Sequence, residues 1–189
     1  MQLLGLAASL RAGSSNRKLL RLAAGLARQH GAEVHEVDFR EFVCPYYDGD
    51  QEQAGGMPEG ATRLADWLRR VDGLLLASPE YNYGIPGTLK NTIDWTSRIR
   101  PLPFRGKTGF LMGASNGAVG TNRGLWQTRI PFECLGVALY PEMFGLPFAT
   151  DAFSAEGALL ESSRGDRLER LLGGYLCFAR ALAQPAAGG

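Results

Sequence analysis

Short apolar runs alternating with helical stripes constrain the fold of this 189-residue chain more than any other feature. Residues 3–8, 73–77 and 107–113 are nearly continuous apolar runs with the length of buried strands. Residues 33–39 alternate polar and apolar, the pattern of a strand with one better-buried face, and residues 137–140 supply a fifth short run. Between the runs, apolar residues recur at helical spacing: Leu19, Leu22, Ala23, Leu26 and Ala27, then Leu64, Leu68 and Val71, then Leu89, Ile93, Thr96 and Ile99. A fourth helix is expected over residues 122–135, kinked or split at Pro131, because proline inside a helix costs ~3 kcal/mol. The last stripe runs Leu168, Leu171, Leu172, Tyr175, Leu176, Ala179 and Leu182 from a start near Ser163 or Asp166, with Glu169 placed to complete a capping box. Strand–helix alternation of this kind specifies an α/β fold, a parallel sheet with helices on both faces. Residues 1–183 read as one domain, residues 44–60 as a surface loop, 144–155 as another loop, and 184–189 as a flexible tail.

In such a sheet, ligands sit beyond the carboxyl ends of the strands, where the strand order switches direction. The turns after the first, third and fourth strands are the ones rich in polar, glycine or aromatic residues. The first carries hydroxyls at Ser9, Ser14 and Ser15, an amide at Asn16, a flexible Gly13 and a cation at Arg11. It leads into a helix whose first N–H groups lack intrahelical partners, a natural site for a phosphate monoester. The same residues also make an ordinary helix cap, for which Ser and Asn are favoured. The turn after the third strand, from Pro79 through Glu80, Tyr81, Asn82 and Tyr83, brackets an amide with two aromatics that suit a planar ring. Its alternative reading is that the tyrosines plug the core while Asn82 makes a turn. The turn after the fourth strand carries Ser115, Asn116 and Gly117.

Composition narrows the partner. Lys and Arg number 20 against 19 Asp and Glu, so no strong field favours nucleic acid or an anionic membrane. Three dispersed cysteines and two histidines suggest neither a disulfide framework nor a metal site. With no signal-peptide pattern and no apolar stretch near the ~20 residues that span a bilayer, a cytoplasmic location is expected.

Two stretches carry a family likeness. Ser9-Leu10-Arg11 with Gly13-Ser14 and Asn16-Arg17, and then Pro79-Glu80-Tyr81-Asn82-Tyr83-Gly84-Ile85-Pro86-Gly87 with Leu89-Lys90-Asn91 and Ile93-Asp94-Trp95, resemble the signatures of the NAD(P)H-dependent FMN reductases. The resemblance implies a flavodoxin-like three-layer sandwich with a five-stranded sheet of order 2-1-3-4-5. It implies bound FMN, with Ser9, Arg11, Ser14, Ser15 and Asn16 on its phosphate. It places Pro79, Glu80, Tyr81, Asn82 and Tyr83 on the ring and ribityl side, and Ser115, Asn116 and Gly117 in a turn closing over the ring. NADPH or NADH is the implied co-substrate, and a quinone, azo dye, chromate or free flavin the implied acceptor. The likeness weakens after Gly120, where relatives read Arg-Ala-Gln and this chain reads Arg123-Gly124-Leu125. Arg123 therefore reads either as a contact to the pyridine nucleotide or as a solvated helix-start residue.

The cofactor of such an enzyme carries the hydride chemistry, so no catalytic acid or base is assigned, Glu80 included. The alternatives are a flavodoxin-like electron carrier and a flavin-binding regulatory protein without turnover. Carriers of that kind are strongly acidic, whereas the net charge here is +1. A homodimer or homotetramer is expected from the apolar residues Trp95, Ile99, Pro101, Leu102, Pro103, Phe104, Trp126 and Phe132, more than one sheet would bury.

Overall fold

The computed structural model describes residues 1–183; the expected flexible tail, 184–189, lies outside the described residues. The first apolar run forms β1 (Gln2–Ala7), and the stripe behind it forms α1 (Ser15–Gln29). The Ser14 side chain accepts from the Asn16 N–H at 3.2 Å and caps α1, while Gly31, at φ +77°, takes the left-handed position just beyond its other end. There follow β2 (Glu33–Val37), α2 (Gly49–Gly55), α3 (Glu59–Arg70), β3 (Gly73–Ala77), α4 (Gly87–Thr96), β4 (Thr108–Ala114), α5 (Asn122–Cys134), β5 (Ala138–Leu139), β6 (Phe144–Leu146) and α6 (Ser162–Ala183).

All strands pair in parallel in the order β2-β1-β3-β4-β5, as the flavodoxin-like expectation requires, and β6 also pairs with β4. Side chains alternate across the central strands. Leu3, Leu75, Phe110 and Met112 join the core under α1 and α6, whereas Leu4, Leu74, Leu76 and Leu111 join the core under α3, α4 and α5. Burial on both faces explains why these strands read as continuous apolar runs. The chain leaves β1 toward β2 on one side and builds β3 and β4 on the other. The switch point therefore lies between β1 and β3, where their following turns meet.

Several local expectations are corrected. The fifth strand position holds two short strands instead of one, because three steps along β4, from Gly109 to Met112, face five along the edge, from Leu139 to Phe144. The edge bows out at Tyr140, whose carbonyl accepts from Arg129 Nη1 at 2.9 Å. Residues 144–146 are thus strand where loop was expected. Helix α5 continues through Pro131. The missing donor removes only the bond to the Gln127 carbonyl, on an exposed residue in the last turns, where water can take its place. Helix α6 starts ahead of Asp166, so Asp166 and Glu169 do not frame its first turn, and Leu182 at the far end of the stripe is exposed. The long loop contains α2, capped by the Asp48 side chain accepting from the Asp50 N–H at 2.9 Å. Trp95, Phe104 and Phe132, counted above as surplus, are buried within the single chain.

Candidate functional site

At the carboxyl end of the sheet, three turns enclose a cavity of about 390 Å³. Its lining includes Ser9, Arg11, Ser14, Ser15 and Asn16 from the first turn, Pro79, Glu80 and Tyr81 from the third strand's turn, and Ser115 and Asn116 from the fourth. Ten of the thirteen expected site residues therefore converge. Asn82, Tyr83 and Gly117 do not line the cavity.

The first turn is fixed from behind. Asn16 is buried, its Nδ2 donates to the Ala114 carbonyl at 2.9 Å, and its Oδ1 accepts from the Ala114 N–H at 2.9 Å. Its amide thus spans 98 residues of sequence to join the start of α1 to the end of β4. That use differs from a direct phosphate contact: both amide atoms are engaged within the chain. Arg17 Nε donates to the Ser9 carbonyl at 3.4 Å and Arg17 Nη2 donates to Asp38 at 2.8 Å. Arg40 donates to the Leu10 carbonyl. The Arg40 backbone N–H, together with the Arg17 guanidinium, holds the Asp38 carboxyl below the usual carboxylate range.

Arg11 is left uncommitted. It is exposed, and among the described residues its hydrogen bonding is limited to a long 3.5 Å donation to the Gly13 carbonyl. Lys18, one turn into α1, lines the same cavity with its ammonium 5.7 Å from the Phe153 ring centroid. Sequence reading missed Lys18 as a site residue. The signal was present, since Ser14, Ser15 and Lys18 share a helix face at three- and four-residue spacing.

The turn after β3 has different chemistry. Asn82 and Tyr83 both take positive φ, 51° and 64°, and Tyr81 and Gly84 exchange backbone hydrogen bonds at 3.2 and 3.0 Å. Left-handed geometry at both central residues makes a type I′ turn, for which asparagine is well suited and tyrosine is not. Tyr81 and Tyr83 are 53% and 65% exposed, which removes the reading that they plug the core. Arg123 lies over the Tyr83 ring at 4.4 Å. Glu80 Oε2 accepts from the Gly124 N–H at 2.7 Å, serving the start of α5, whose own N-cap Thr121 makes no side-chain cap bond. A Cβ on residue 124 would lie 3.0 Å from Glu80 Cβ and 3.1 Å from the Gly84 carbonyl oxygen, so glycine allows the turn to close on α5. The departure at Arg123-Gly124-Leu125 thus has a packing reason.

The fourth turn folds on itself. Ser115 Oγ accepts from the Gly117 N–H at 3.1 Å, and Asn116 Oδ1 accepts from the Thr150 hydroxyl at 2.7 Å, which brings Thr150 into the lining. Together the cavity offers hydroxyls, the N–H end of α1 and two cations at one side, and Glu80 with Tyr81 at the other. The donor set fits a flavin mononucleotide: a dianion end, and an aromatic end set apart from it.

Fold and cavity together define a flavodoxin-like α/β protein with its site at the strand switch point. Residues 1–151 match the family described as NADPH-dependent FMN reductase, and the chain belongs to that family of flavin oxidoreductases. It is 36% identical over 184 residues to an NAD(P)H-dependent FMN reductase of Pseudomonas aeruginosa, covering 96% of this chain and 97% of that one. It is likewise 36% identical over 170 residues to a quinone reductase of Escherichia coli, 89% of either chain. In fold it is similar to the flavoenzyme NAD(P)H:(acceptor) oxidoreductase FerB of Paracoccus denitrificans, with a TM-score of 0.80, 24% identity and 95% and 97% of the two chains covered.

Proposed function

We propose that this chain is an FMN-dependent NAD(P)H oxidoreductase that passes electrons to quinones, and to other small acceptors such as azo dyes, chromate or free flavin. The observation that carries the reading is the convergence of the α1 N-terminus, the Ser9, Ser14 and Ser15 hydroxyls and Arg11 on one cavity beside two exposed tyrosines. When bound, FMN supplies the two-electron carrier between nicotinamide and acceptor.

The chain's own residues hold, orient and shield. The serine hydroxyls, the positive end of the α1 dipole and Arg11 take the phosphate charge, with Lys18 adding a second cation. Asn16 serves that end by holding α1 against β4. Pro79, Glu80, Tyr81, Asn82 and Tyr83 shape the ring side, where the tyrosine faces exclude water and the turn's polar groups meet the ring edge. Ser115 and Asn116 wall the site from the turn after β4, and Gly117 holds that turn by donating its N–H to Ser115 Oγ. Glu80 is engaged by the Gly124 N–H, so it acts as a brace and not as a proton carrier.

Purified protein loaded with FMN and titrated anaerobically with NADPH and NADH tests the reading: bleaching within turnover time, followed by recovery with quinone, is expected. A yellow protein that neither nucleotide bleaches would make it a carrier or regulator instead. A homodimer or homotetramer in the cytoplasm completes the proposal. Its support is the exposed face of α5, where Trp126 and Ile130 stand 61% and 63% open. A species sedimenting at the 20.4 kDa of one chain would remove the assembly part. Among the described residues, no helix is long and apolar enough to cross a membrane.

A further inference from the structure

A second groove, about 560 Å³, runs beside the first along α1 from Lys18 to Gln29. Lys18 lines both cavities, and one stretch of chain walls both, since Thr150 faces the first and residues 154–158 face the second. The two spaces therefore meet at Lys18, between the same helix and the same stretch of chain. At a rise of 1.5 Å per residue the groove extends about 16 Å along the helix, enough for a nucleoside monophosphate. Its chemistry changes along its length. Lys18 and Arg21 stand near the phosphate end, Leu22 and Leu26 give a half-buried apolar floor, and Glu156 stands exposed on the opposite wall.

We infer that this groove takes the adenylyl half of FAD, so that the site accepts the flavin dinucleotide as well as the mononucleotide. The inference rests on the proposal that FMN phosphate sits at the start of α1. Extending that phosphate to a pyrophosphate places the added phosphate beside Lys18 and Arg21, a charge-complementary position. The apolar floor at Leu22 and Leu26 then suits the flat adenine. A carboxylate such as Glu156 accepts from ribose hydroxyls and repels a ribose phosphate, which favours FAD over a 2′-phosphorylated nucleotide. The groove opens from the phosphate end and not from the tyrosine turn. Its occupant is therefore the tail of the bound flavin, not the adenine of a nicotinamide nucleotide approaching the ring.

Gly25 gives a selective test. It lies in the middle of the groove, and a Cβ built there meets nothing within 4 Å, so Gly25→Leu fills the groove without disturbing the helix. Apoprotein is titrated calorimetrically with FMN and with FAD, for wild type and Gly25→Leu. Wild type is expected to bind FAD with one-to-one stoichiometry, in competition with FMN and within about tenfold of its affinity. Gly25→Leu is expected to weaken FAD tenfold or more and leave FMN unchanged. FMN binding with FAD more than a hundredfold weaker, or FAD affinity indifferent to Gly25→Leu, overturns the adenylyl groove while leaving the FMN reading intact. Failure of wild type to bind FMN overturns both, and equal losses for both flavins in the variant would show that the effect does not come from the groove.

Discussion

The two ends of the cavity are built on opposite plans. At the start of α1, conformation is fixed by bonds to the surrounding chain: buried Asn16 bonds Ala114 twice, and half-buried Arg17 and exposed Arg40 secure the carbonyls of Ser9 and Leu10. At the β3 turn, two non-glycine residues sit in left-handed conformations, both tyrosines face solvent, and the links to α5 are one carboxylate contact and one cation over a ring. A phosphate has one charge and one shape to be met, so a rigid cradle loses less entropy on binding. A ring that must admit nicotinamide and acceptor in turn is better served by an adaptable, open edge. The difference teaches that preorganisation here is concentrated where the ligand does not change.

The largest expected effect tests the rigid end. Asn16→Ala leaves a buried N–H and a buried carbonyl of Ala114 without partners, at about 1–3 kcal/mol each. The expected loss is about 2–5 kcal/mol of unfolding free energy by urea titration, with FMN affinity falling alongside. A loss under about 1 kcal/mol would mean that the phosphate end is no better fixed than the ring end.

Next comes Arg11→Ala, which removes a cation without removing structure. FMN should bind about ten- to a hundredfold more weakly, at ~1.4 kcal/mol per decade, and riboflavin almost as before. High salt should shrink the FMN loss, because Arg11 is exposed and Lys18 shares the charge. Equal losses for both flavins would place the phosphate elsewhere.

How far these two ends were legible in the sequence follows from how local their causes are. The layers and the position of the first turn were readable because apolar runs and helical stripes are local patterns that dictate layers, whereas the strand order came only with the family likeness. The fifth strand was read where it lies, but its continuation as β6 was missed because two residues of bow at the edge depend on pairing with β4 and on Arg129, neither visible in residues 137–146 themselves. In the site, residue types announced the phosphate end, yet Asn16's partner lies 98 positions away and could not be read from its neighbours. Trp95 and Phe104 looked like surplus because the cover over Trp95 comes from the stretch around Pro45, whose carbonyl accepts from the Trp95 indole at 2.8 Å. Gly124 stood out as a departure, but its reason, the approach of Glu80, is tertiary.

A smaller effect is expected from loosening the ring end. Glu80→Ala removes the acceptor for the Gly124 N–H, and losses of helix-capping acceptors run to about 0.5–2 kcal/mol. With the brace gone, the strained type I′ turn should relax, so flavin fluorescence and redox potential should change more than FMN affinity does. An FMN affinity loss as large as that of Arg11→Ala would erase the division between the two ends.

The smallest effect belongs to Arg123. Its guanidinium lies 4.4 Å from the Tyr83 ring centroid, and an exposed cation–π contact contributes about 0.5–1 kcal/mol. A cation at the N-terminal end of α5 also opposes the helix dipole by a few tenths of a kcal/mol, so removing it returns part of what the ring contact loses. Arg123→Ala should therefore change unfolding free energy by less than about 0.5 kcal/mol. The ring contact itself is measurable as the coupling between Arg123→Ala and Tyr83→Leu in a double-mutant cycle, expected at about 0.5–1 kcal/mol. Michaelis constants decide between the two sequence readings of this residue. If Arg123 only holds Tyr83, KM for NADPH and for NADH should move together and modestly in the single variant. A rise of tenfold or more confined to NADPH would make Arg123 a contact to the 2′-phosphate, and the open ring end would then have a fixed cation of its own, as the phosphate end has Arg11.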